Sequence, residues 1–127
     1  MRYLLDTHAI IWFFENSAMM PDYVKEIIKH KENSISIATI SLLEITIKES
    51  LNRFNLGLSI EELYEKAINN RFSLVHIKLE HLLIYNKLPF IHKDPYDRLL
   101  IATAINENLT FITSDKNCQN YSVNWIW

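Results

Sequence analysis

Short apolar segments alternate with helical segments along this 127-residue chain, and this alternation constrains the fold more than any other feature. Five segments have the pattern of strands: residues 2–5, 34–38, 73–77, 110–113 and 123–127. Six other segments have helical patterns: 7–15, the segment that Pro21 opens, 41–54, the segment after Ser59, 79–87 and 94–106. Strands separated by helices predict an α/β fold with a mainly parallel central sheet of about five strands and helices on both faces.

The composition indicates one ordinary globular domain, which we expect to span residues 1–127. The formal net charge of −2 argues against a protein that coats nucleic acid by bulk electrostatics, although a nuclease with carboxylate metal ligands would still fit. Gly57 is the only glycine, so the sequence has no glycine-rich loop of the Rossmann or P-loop kind. The single cysteine, Cys118, excludes an internal disulfide. Since we also find no secretory signal and no apolar run of membrane length, we expect a cytoplasmic protein.

Four acidic residues fall where strands of the predicted sheet end. Asp6 ends the first strand, and Glu44 lies in the first turn of the helix after the second strand. Asp97 lies in the first turn of the helix that leads into the fourth strand, and Asp115 follows that strand. Because ligands of such folds gather outside the carboxyl ends of the strands, we expect the four side chains at one edge of the sheet.

Each acid also has a purely structural interpretation when it is taken alone. Glu44 fits a capping box with Ser41 or an ion pair with Lys48 one turn later. Asp97 would meet the positive end of the helix dipole, and Asp115 is an ordinary turn residue. Together, however, four carboxylates facing one cleft would repel one another and raise one another's pKa values. A hard divalent cation removes that repulsion, so the combination predicts a Mg²⁺ or Mn²⁺ site.

Such a metal site indicates hydrolysis of a phosphodiester. One or two bound cations lower the pKa of a water, orient the phosphodiester and stabilise the leaving oxygen in an in-line displacement. No side-chain nucleophile is then needed. Asp94 and Pro95 have a separate interpretation, since they are the expected N-cap and first residue of the helix that carries Asp97.

Several stretches of the sequence resemble PIN-domain ribonucleases, specifically the VapC-like toxins of prokaryotic toxin–antitoxin pairs. The similarity covers nearly the whole chain, with the motifs in the order and spacing of the family. The stretches that carry it are Leu4-Leu5-Asp6-Thr7-His8-Ala9 followed by Trp12, Ser41-Leu42-Leu43-Glu44-Ile45-Thr46-Ile47-Lys48, Leu88-Pro89, His92-Lys93-Asp94-Pro95-Tyr96-Asp97-Arg98-Leu99-Leu100-Ile101-Ala102 and Thr113-Ser114-Asp115.

The resemblance implies a metal-dependent endoribonuclease. The family's acidic quartet maps onto Asp6, Glu44, Asp97 and Asp115. By resemblance these residues would bind Mg²⁺ or Mn²⁺ and cleave single-stranded regions of structured RNA, leaving 5′-phosphate and 3′-hydroxyl ends. Thr113 matches the family's hydroxyl near the metal-bound water. The resemblance also implies a small antitoxin whose tail blocks the cleft, and often a toxin homodimer.

The chain departs from the family's pattern at three positions. Leu43 stands where this subfamily often has Trp, Asn52 where Gly is common, and Cys118 where Phe is usual. None of these departures removes a carboxylate, so they concern packing and partner contacts more than catalysis. Asp94 is an additional acid, for which we favour the capping role over an outer-shell contact with the metal.

Four basic residues lie near the acids in sequence and could hold RNA phosphates: Lys48, Arg53, Arg98 and Lys116. Solvated surface charge, or pairing with the acids, explains each of them equally well. His8 and His92 could assist proton transfer or contact RNA, although a structural histidine is the simpler interpretation.

Two other functions compete with the nuclease. A phosphatase of the haloacid dehalogenase type also has an aspartate after its first strand, but its mechanism needs a second acid two residues later, where this chain has His8. A catalytically inert PIN-like module that binds RNA or a protein would have the same fold. The intact set of four acids argues against the inert module, and a cleavage assay separates the two.

Overall fold

A parallel sheet of five strands forms the middle layer of the fold. The protein is described by a computed structural model that covers residues 1–53 and 55–127. The strands are β1 (Arg2–Leu5), β2 (Ser34–Ala38), β3 (Ser73–Val75), β4 (Thr110–Ile112) and β5 (Trp125–Ile126). Their order across the sheet is β3-β2-β1-β4-β5, and every neighbouring pair is parallel. The predicted α/β fold is therefore confirmed, with β1 at the centre of the sheet.

Seven helices connect the strands within the described residues. They are α1 (Thr7–Phe14), α2 (Asp22–Lys29), α3 (Thr39–Ser50), α4 (Ile60–Asn69), α5 (Leu79–Lys87), α6 (Pro95–Asn106) and α7 (Lys116–Gln119). Helix α3 begins directly after β2, two residues before the predicted start, and ends at Ser50; the predicted end, Phe54, lies outside the described residues. Helix α7 was not predicted, because a single turn is too short to show a helical period. None of the helices in the described part of the chain is long and apolar enough to cross a membrane.

Two apolar clusters cover the two faces of the sheet. Successive strand residues point to opposite faces, so Tyr3 and Leu5 lie in one cluster and Leu4 lies in the other. The first cluster contains buried apolar side chains of α1, α2, α3 and α4, and the second contains buried apolar side chains of α6 together with Cys118 of α7. Because both faces are covered in this way, the ends of the strands are where polar side chains can gather.

The register of the sheet aligns the ends of three strands. Leu5, the last residue of β1, pairs with Ile37 of β2 and with Ile112 of β4. The residues that follow Leu5 and Ile112 are Asp6 and Thr113, which therefore lie next to each other at the carboxyl edge. Since β1 lies between β2 and β4, Asp6 has the ends of these two strands on either side.

Candidate functional site

Asp6 and Thr113 are joined at the carboxyl edge of the sheet. The Thr113 hydroxyl donates to Oδ2 of Asp6 over 2.5 Å, and Oδ1 of Asp6 accepts from the backbone N–H of Ala9 over 2.8 Å, which caps α1. Both side chains are buried. Burial raises the pKa of Asp6, and the hydrogen bonds from Thr113 and Ala9 oppose this shift. Asp6 is thus held in one orientation, in surroundings that make its negative charge costly.

Asp97 lies in the first turn of α6, beside a second acid. Oδ1 of Asp94 accepts from the backbone N–H of Asp97 over 3.0 Å, so Asp94 is the helix cap that we predicted. Oδ2 of Asp97 lies 3.1 Å from Nε2 of His92. Burial, followed by the charge of Asp94, raises the pKa of Asp97 to about 7, while the hydrogen bond with His92 opposes the shift. Near neutral pH this carboxyl therefore carries only part of its charge.

Asp115 caps α7 shortly after β4 ends. Its Oδ1 accepts from the backbone N–H of Asn117 over 2.8 Å, and its own N–H donates to the Thr113 hydroxyl over 3.1 Å. The charge of Asp115 raises the pKa of both Asp6 and Asp97, and the charge of Asp6 also raises that of Asp97. We call Asp6, Asp97 and Asp115 the aspartate cluster, since their carboxylates repel one another.

Glu44 is buried, but its charge is matched by its own partners. Nζ of Lys48 donates to Oε2 of Glu44 over 2.7 Å, and the Thr7 hydroxyl donates to Oε1 over 2.6 Å. The hydroxyl oxygens of Thr7 and Ser41 lie 3.1 Å apart. The ion pair with Lys48 is therefore formed. The alternative of a capping box between Ser41 and Glu44 is wrong, because α3 begins at Thr39 with Ala38 as its N-cap.

The four acids do not all meet at one point. Within residues 1–53 and 55–127, one set of three potential metal ligands has its ligand atoms within 4.8 Å of one another, and it consists of His92, Asp97 and Cys118. The aspartate cluster still suits a hard divalent cation, because carboxylate oxygens are its preferred ligands and a cation would relieve the repulsion that raises the pKa of Asp97. The carboxylates that could hold a metal are those of Asp6, Asp97 and Asp115, with Glu44 as a fourth.

Arg98, which from sequence could have held an RNA phosphate, been a surface charge or paired with the acids, lies in the interior. Only 2% of it is exposed, and one terminal nitrogen donates to the carbonyl of Pro89 over 2.8 Å and to the hydroxyl of Tyr121 over 3.0 Å. Its guanidinium carbon also lies 4.3 Å from the ring centre of Phe90 and 5.0 Å from that of Tyr85. In this arrangement Arg98 fixes the loop before α6 and does not face a phosphate, which corrects the expectation from sequence.

The other three basic residues lie nearer to solvent. Lys48 is half-buried in its ion pair with Glu44, and Arg53 and Lys116 are exposed. Lys116 immediately follows Asp115 in the sequence. His8, on α1, is exposed, and its charge would lower the pKa of the neighbouring Asp6.

Sequence reasoning missed two residues that hold the site together. Thr7 orients Glu44, and its position directly after Asp6 at the start of a helix was an available signal. Tyr121 lies 2.9 Å from Nδ1 of His92, and it also accepts from the His92 backbone N–H over 3.3 Å. No local pattern indicates this contact, because the two residues are 29 positions apart and meet only in the folded chain.

The fold and the site together define an α/β domain with a carboxylate cluster at the carboxyl edge of a parallel sheet. Residues 3–124 match the PIN domain family, and this match covers nearly the whole chain. The chain therefore belongs to the PIN domain family, as its resemblance indicated. No curated protein matches the chain.

Solved structures with a similar fold agree with this assignment. VapBC2 from Rickettsia felis, bound to a DNA fragment from their promoter, is similar to the chain with a TM-score of 0.71 and 19% identity, over 100% of this chain and 99% of the other. VapBC-1 from nontypeable Haemophilus influenzae is similar with a TM-score of 0.67 and 18% identity, over 99% of this chain and 97% of the other. FitAcB from Neisseria gonorrhoeae is similar with a TM-score of 0.63 and 18% identity, over 100% of this chain and 97% of the other. At these identities the likeness describes the fold.

Proposed function

We propose that this PIN domain, spanning residues 1–127, is a Mg²⁺- or Mn²⁺-dependent endoribonuclease. The observation that carries the proposal is the aspartate cluster, in which three carboxylates from separate parts of the chain repel one another at the carboxyl edge of the sheet. This arrangement costs stability in the isolated chain, and bound divalent cations would offset that cost. Membership of the PIN family and the position of the cluster at the strand ends support the same conclusion.

The carboxylates of the cluster would hold the metal. Asp6, Asp97 and Asp115 are the proposed ligands, with Glu44 as the fourth acid of the site. A cation bound there would lower the pKa of a water and stabilise negative charge on the phosphate and the leaving oxygen. Attack by that water at phosphorus and release of the ribose 3′-oxygen would leave 5′-phosphate and 3′-hydroxyl ends.

Neighbouring hydroxyls and a lysine would keep these acids in place. The Thr113 hydroxyl orients Asp6 through its bond to Oδ2, which leaves the direction of the carboxylate fixed before a metal arrives. Thr7 and Lys48 hold both oxygens of Glu44 in the same way. Thr113 is thus proposed as a positioning residue for the metal and for the water beside it.

RNA would approach the cluster from the exposed side of the carboxyl edge. The exposed side chains of Lys116 and Arg53, together with partly exposed Lys48, are proposed to contact phosphates, whereas buried Arg98 is not. Because these contacts carry no base information, the target would be selected by RNA shape as well as by sequence.

We also propose that the protein is the toxin of a toxin–antitoxin pair, that it acts in the cytoplasm and that it has a protein antitoxin as a partner. The support is the similarity to VapBC and FitAcB structures together with large apolar side chains that remain exposed. Helices α3 and α5 both pack against α6, and each exposes large apolar side chains: Leu43, Ile47, Leu79, Leu82 and Leu83. We propose that these side chains contact a second copy of the chain in a homodimer.

Cleavage of end-labelled total RNA by the purified protein tests the proposed activity. We expect cuts at discrete sites that need Mg²⁺ or Mn²⁺, stop with a chelator and are lost in Asp6→Asn. The matched control is Glu65→Gln, which removes one carboxylate from the exposed face of α4 and should leave cleavage intact. No cleavage with either metal, together with no cation binding by calorimetry, would reject the nuclease and favour the inert module that binds RNA or protein.

A further inference from the structure

Beside the aspartate cluster, a second set of potential metal ligands contains a sulfur. One ligand atom from each of His92, Asp97 and Cys118 lies within 4.8 Å of the other two. The three residues come from different segments: the loop before α6, the first turn of α6, and α7. Their convergence therefore depends on tertiary structure, unlike an accidental run of polar residues along one helix.

The spacing of these atoms is close to what a tetrahedral ion requires. Zinc binds sulfur at about 2.3 Å and nitrogen or oxygen at about 2.0–2.2 Å, so neighbouring ligands of a tetrahedral site lie roughly 3.3–3.8 Å apart. Nε2 of His92 and Oδ2 of Asp97 are 3.1 Å apart, and the other two separations, each within 4.8 Å, need to shorten by at most about 1.0–1.5 Å. Small side-chain rotations can supply that change, and water can provide a fourth ligand.

The histidine of this set already has the outer support that metal-binding histidines usually have. Nδ1 of His92 lies 2.9 Å from the Tyr121 hydroxyl, which fixes the plane of the ring and directs Nε2 towards Asp97. The same hydroxyl accepts a hydrogen bond from Arg98 over 3.0 Å, and both Tyr121 and Arg98 are buried. The orientation of the His92 ring is thus fixed by Tyr121 and Arg98, which would not themselves bind the metal.

The surroundings of the sulfur favour a divalent cation. Cys118 is fully buried, and the negative charges of Asp97, Asp115 and Asp6 act on its thiol. These charges attract a dication, which on binding the sulfur would displace the thiol proton to solvent. His92 and Asp97 retain some exposure, so an ion can enter from their side.

We propose that His92, Asp97 and Cys118 form a site for a thiophilic divalent ion, represented by Zn²⁺, which shares Asp97 with the Mg²⁺ or Mn²⁺ site and adds an imidazole and a sulfur. Sulfur and imidazole select borderline-soft ions such as Zn²⁺ and Co²⁺ over Mg²⁺. Asp97 belongs to both sites, so Zn²⁺ would withdraw it from the aspartate cluster and inhibit RNA cleavage. This inhibition rests on the proposed function, whereas the binding of Zn²⁺ does not.

Titration of the purified protein with Co²⁺ tests the site without any RNA. Coordination by a thiolate produces a near-ultraviolet charge-transfer band, and the chain has one cysteine, so a band in the wild type identifies Cys118 directly. We expect the band to appear, to be abolished by Zn²⁺ but not by equimolar Mg²⁺, and to be lost in Cys118→Ser. Binding of Co²⁺ without a thiolate band, or no binding at all, would overturn the proposal.

Two further variants define the ligand set. Zn²⁺ affinity, measured by competition with a chromophoric chelator, should fall by at least tenfold in Cys118→Ser and in His92→Gln, because even loss of an outer-shell partner lowers metal affinity about 10- to 100-fold. Asp115→Asn is the matched control, since it removes a carboxylate of the aspartate cluster and should retain the cobalt band. Loss of the band in Asp115→Asn would contradict the three-residue site. Circular dichroism confirms that each variant is folded.

Cleavage assays then separate the two proposals. If Zn²⁺ binds and RNA is cut with Mg²⁺, we expect Zn²⁺ to inhibit the wild type and to inhibit Cys118→Ser at least tenfold less strongly. Zn²⁺ binding in a protein that cuts no RNA would reject the nuclease while leaving the site in place. Equal inhibition of both proteins would overturn the assignment of Cys118.

Discussion

Helix α6 has a histidine–carboxylate pair at each end, and the two pairs share a geometry but differ in electrostatics. At its start, Nε2 of His92 lies 3.1 Å from Oδ2 of Asp97; at its C-cap, Nε2 of His81 lies 3.0 Å from Oε1 of Glu107. The pKa of Asp97 is raised to about 7, whereas the pKa of Glu107 is lowered. Geometry within the pair therefore does not decide the charge state of the carboxylate.

The neighbours of each pair explain the difference. Lys78 donates to Oε1 of Glu107 over 2.9 Å, and this bond is the main reason for the lowered pKa. The positive charge of Lys78 also offsets the unfavourable interaction of the Glu107 carboxylate with the negative end of the helix dipole. Asp97 lies at the favourable end of the helix but is partly buried near other acids, of which Asp94 has the largest effect on its pKa. The pair at Glu107 is matched by a neighbouring cation, whereas the pair at Asp97 has no such match among the described residues and belongs to the cluster that we propose binds a metal.

Substituting Asp97 should give the largest effect on function. In Asp97→Asn we expect RNA cleavage to fall by about 100-fold or more, because metal-assisted hydrolysis depends on several kcal/mol of charge stabilisation. The free energy of unfolding in chelator should be unchanged or higher, because one repelling charge is gone. Cleavage assays and urea unfolding check both expectations. A variant that fails to fold would show instead that the charge of Asp97 serves the start of the helix.

The same substitution should remove a dependence of stability on pH. The pKa of Asp97 is about 7 in the folded chain against an ordinary value of 3.8, so folding binds its proton more tightly. The cost of ionising it is absent below about pH 4, grows as the pH rises and is complete above about pH 7. Without divalent metal, the wild type should therefore lose stability relative to Asp97→Asn over this range. Thermal unfolding of both proteins from pH 4 to 8 measures it, and a constant difference would contradict it.

The pair at the other end of α6 should affect stability and not cleavage. The buried His81 ring accepts at Nδ1 from the backbone N–H of Lys78 over 3.2 Å, so its Nε2–H must donate to Glu107. Glu107→Ala leaves this buried donor unpaired and should cost about 1–3 kcal/mol in urea unfolding. Glu107→Gln keeps an acceptor and should cost less. If either variant lost RNA cleavage while remaining folded, the contrast between the two ends of α6 would be broken.

The sequence was sufficient for the fold class and for every element except α7, because strands and helices alternate with clear periods. It also indicated the edge of the sheet where the acids lie, since Asp6, Asp97 and Asp115 directly follow strands or begin helices. Their assignment as metal ligands stays a prediction. The charge state of each acid was less accessible, because it depends on burial and on partners elsewhere in the chain.

Arg98 and Cys118 show this limit most clearly. Both were assessed from their neighbours in sequence, Arg98 as a possible phosphate ligand, a surface charge or a partner of the acids, and Cys118 as a departure that concerns packing. The fold buries Arg98 against Tyr121 and brings Cys118 within reach of His92. These contacts join α6, α7 and the loop before α6, and no pattern within a single segment encodes them. Long-range polar contacts are therefore the part of the site that required the structure.

Asp94 allows the smallest and most selective change to the unmatched pair. In Asp94→Asn the side-chain oxygen can still accept from the backbone N–H of Asp97, because Asn and Asp cap helices about equally well. The substitution removes the neighbouring charge that contributes most to the raised pKa of Asp97. We therefore expect the pH-dependent loss of stability to move to lower pH with little change in stability at pH 5. Asp94→Ala is the matched comparison, since it removes the cap as well and should cost about 1 kcal/mol at every pH. If the midpoint of the pH profile were the same in Asp94→Asn and the wild type, the raised pKa of Asp97 would be due to its burial and not to the charge of Asp94.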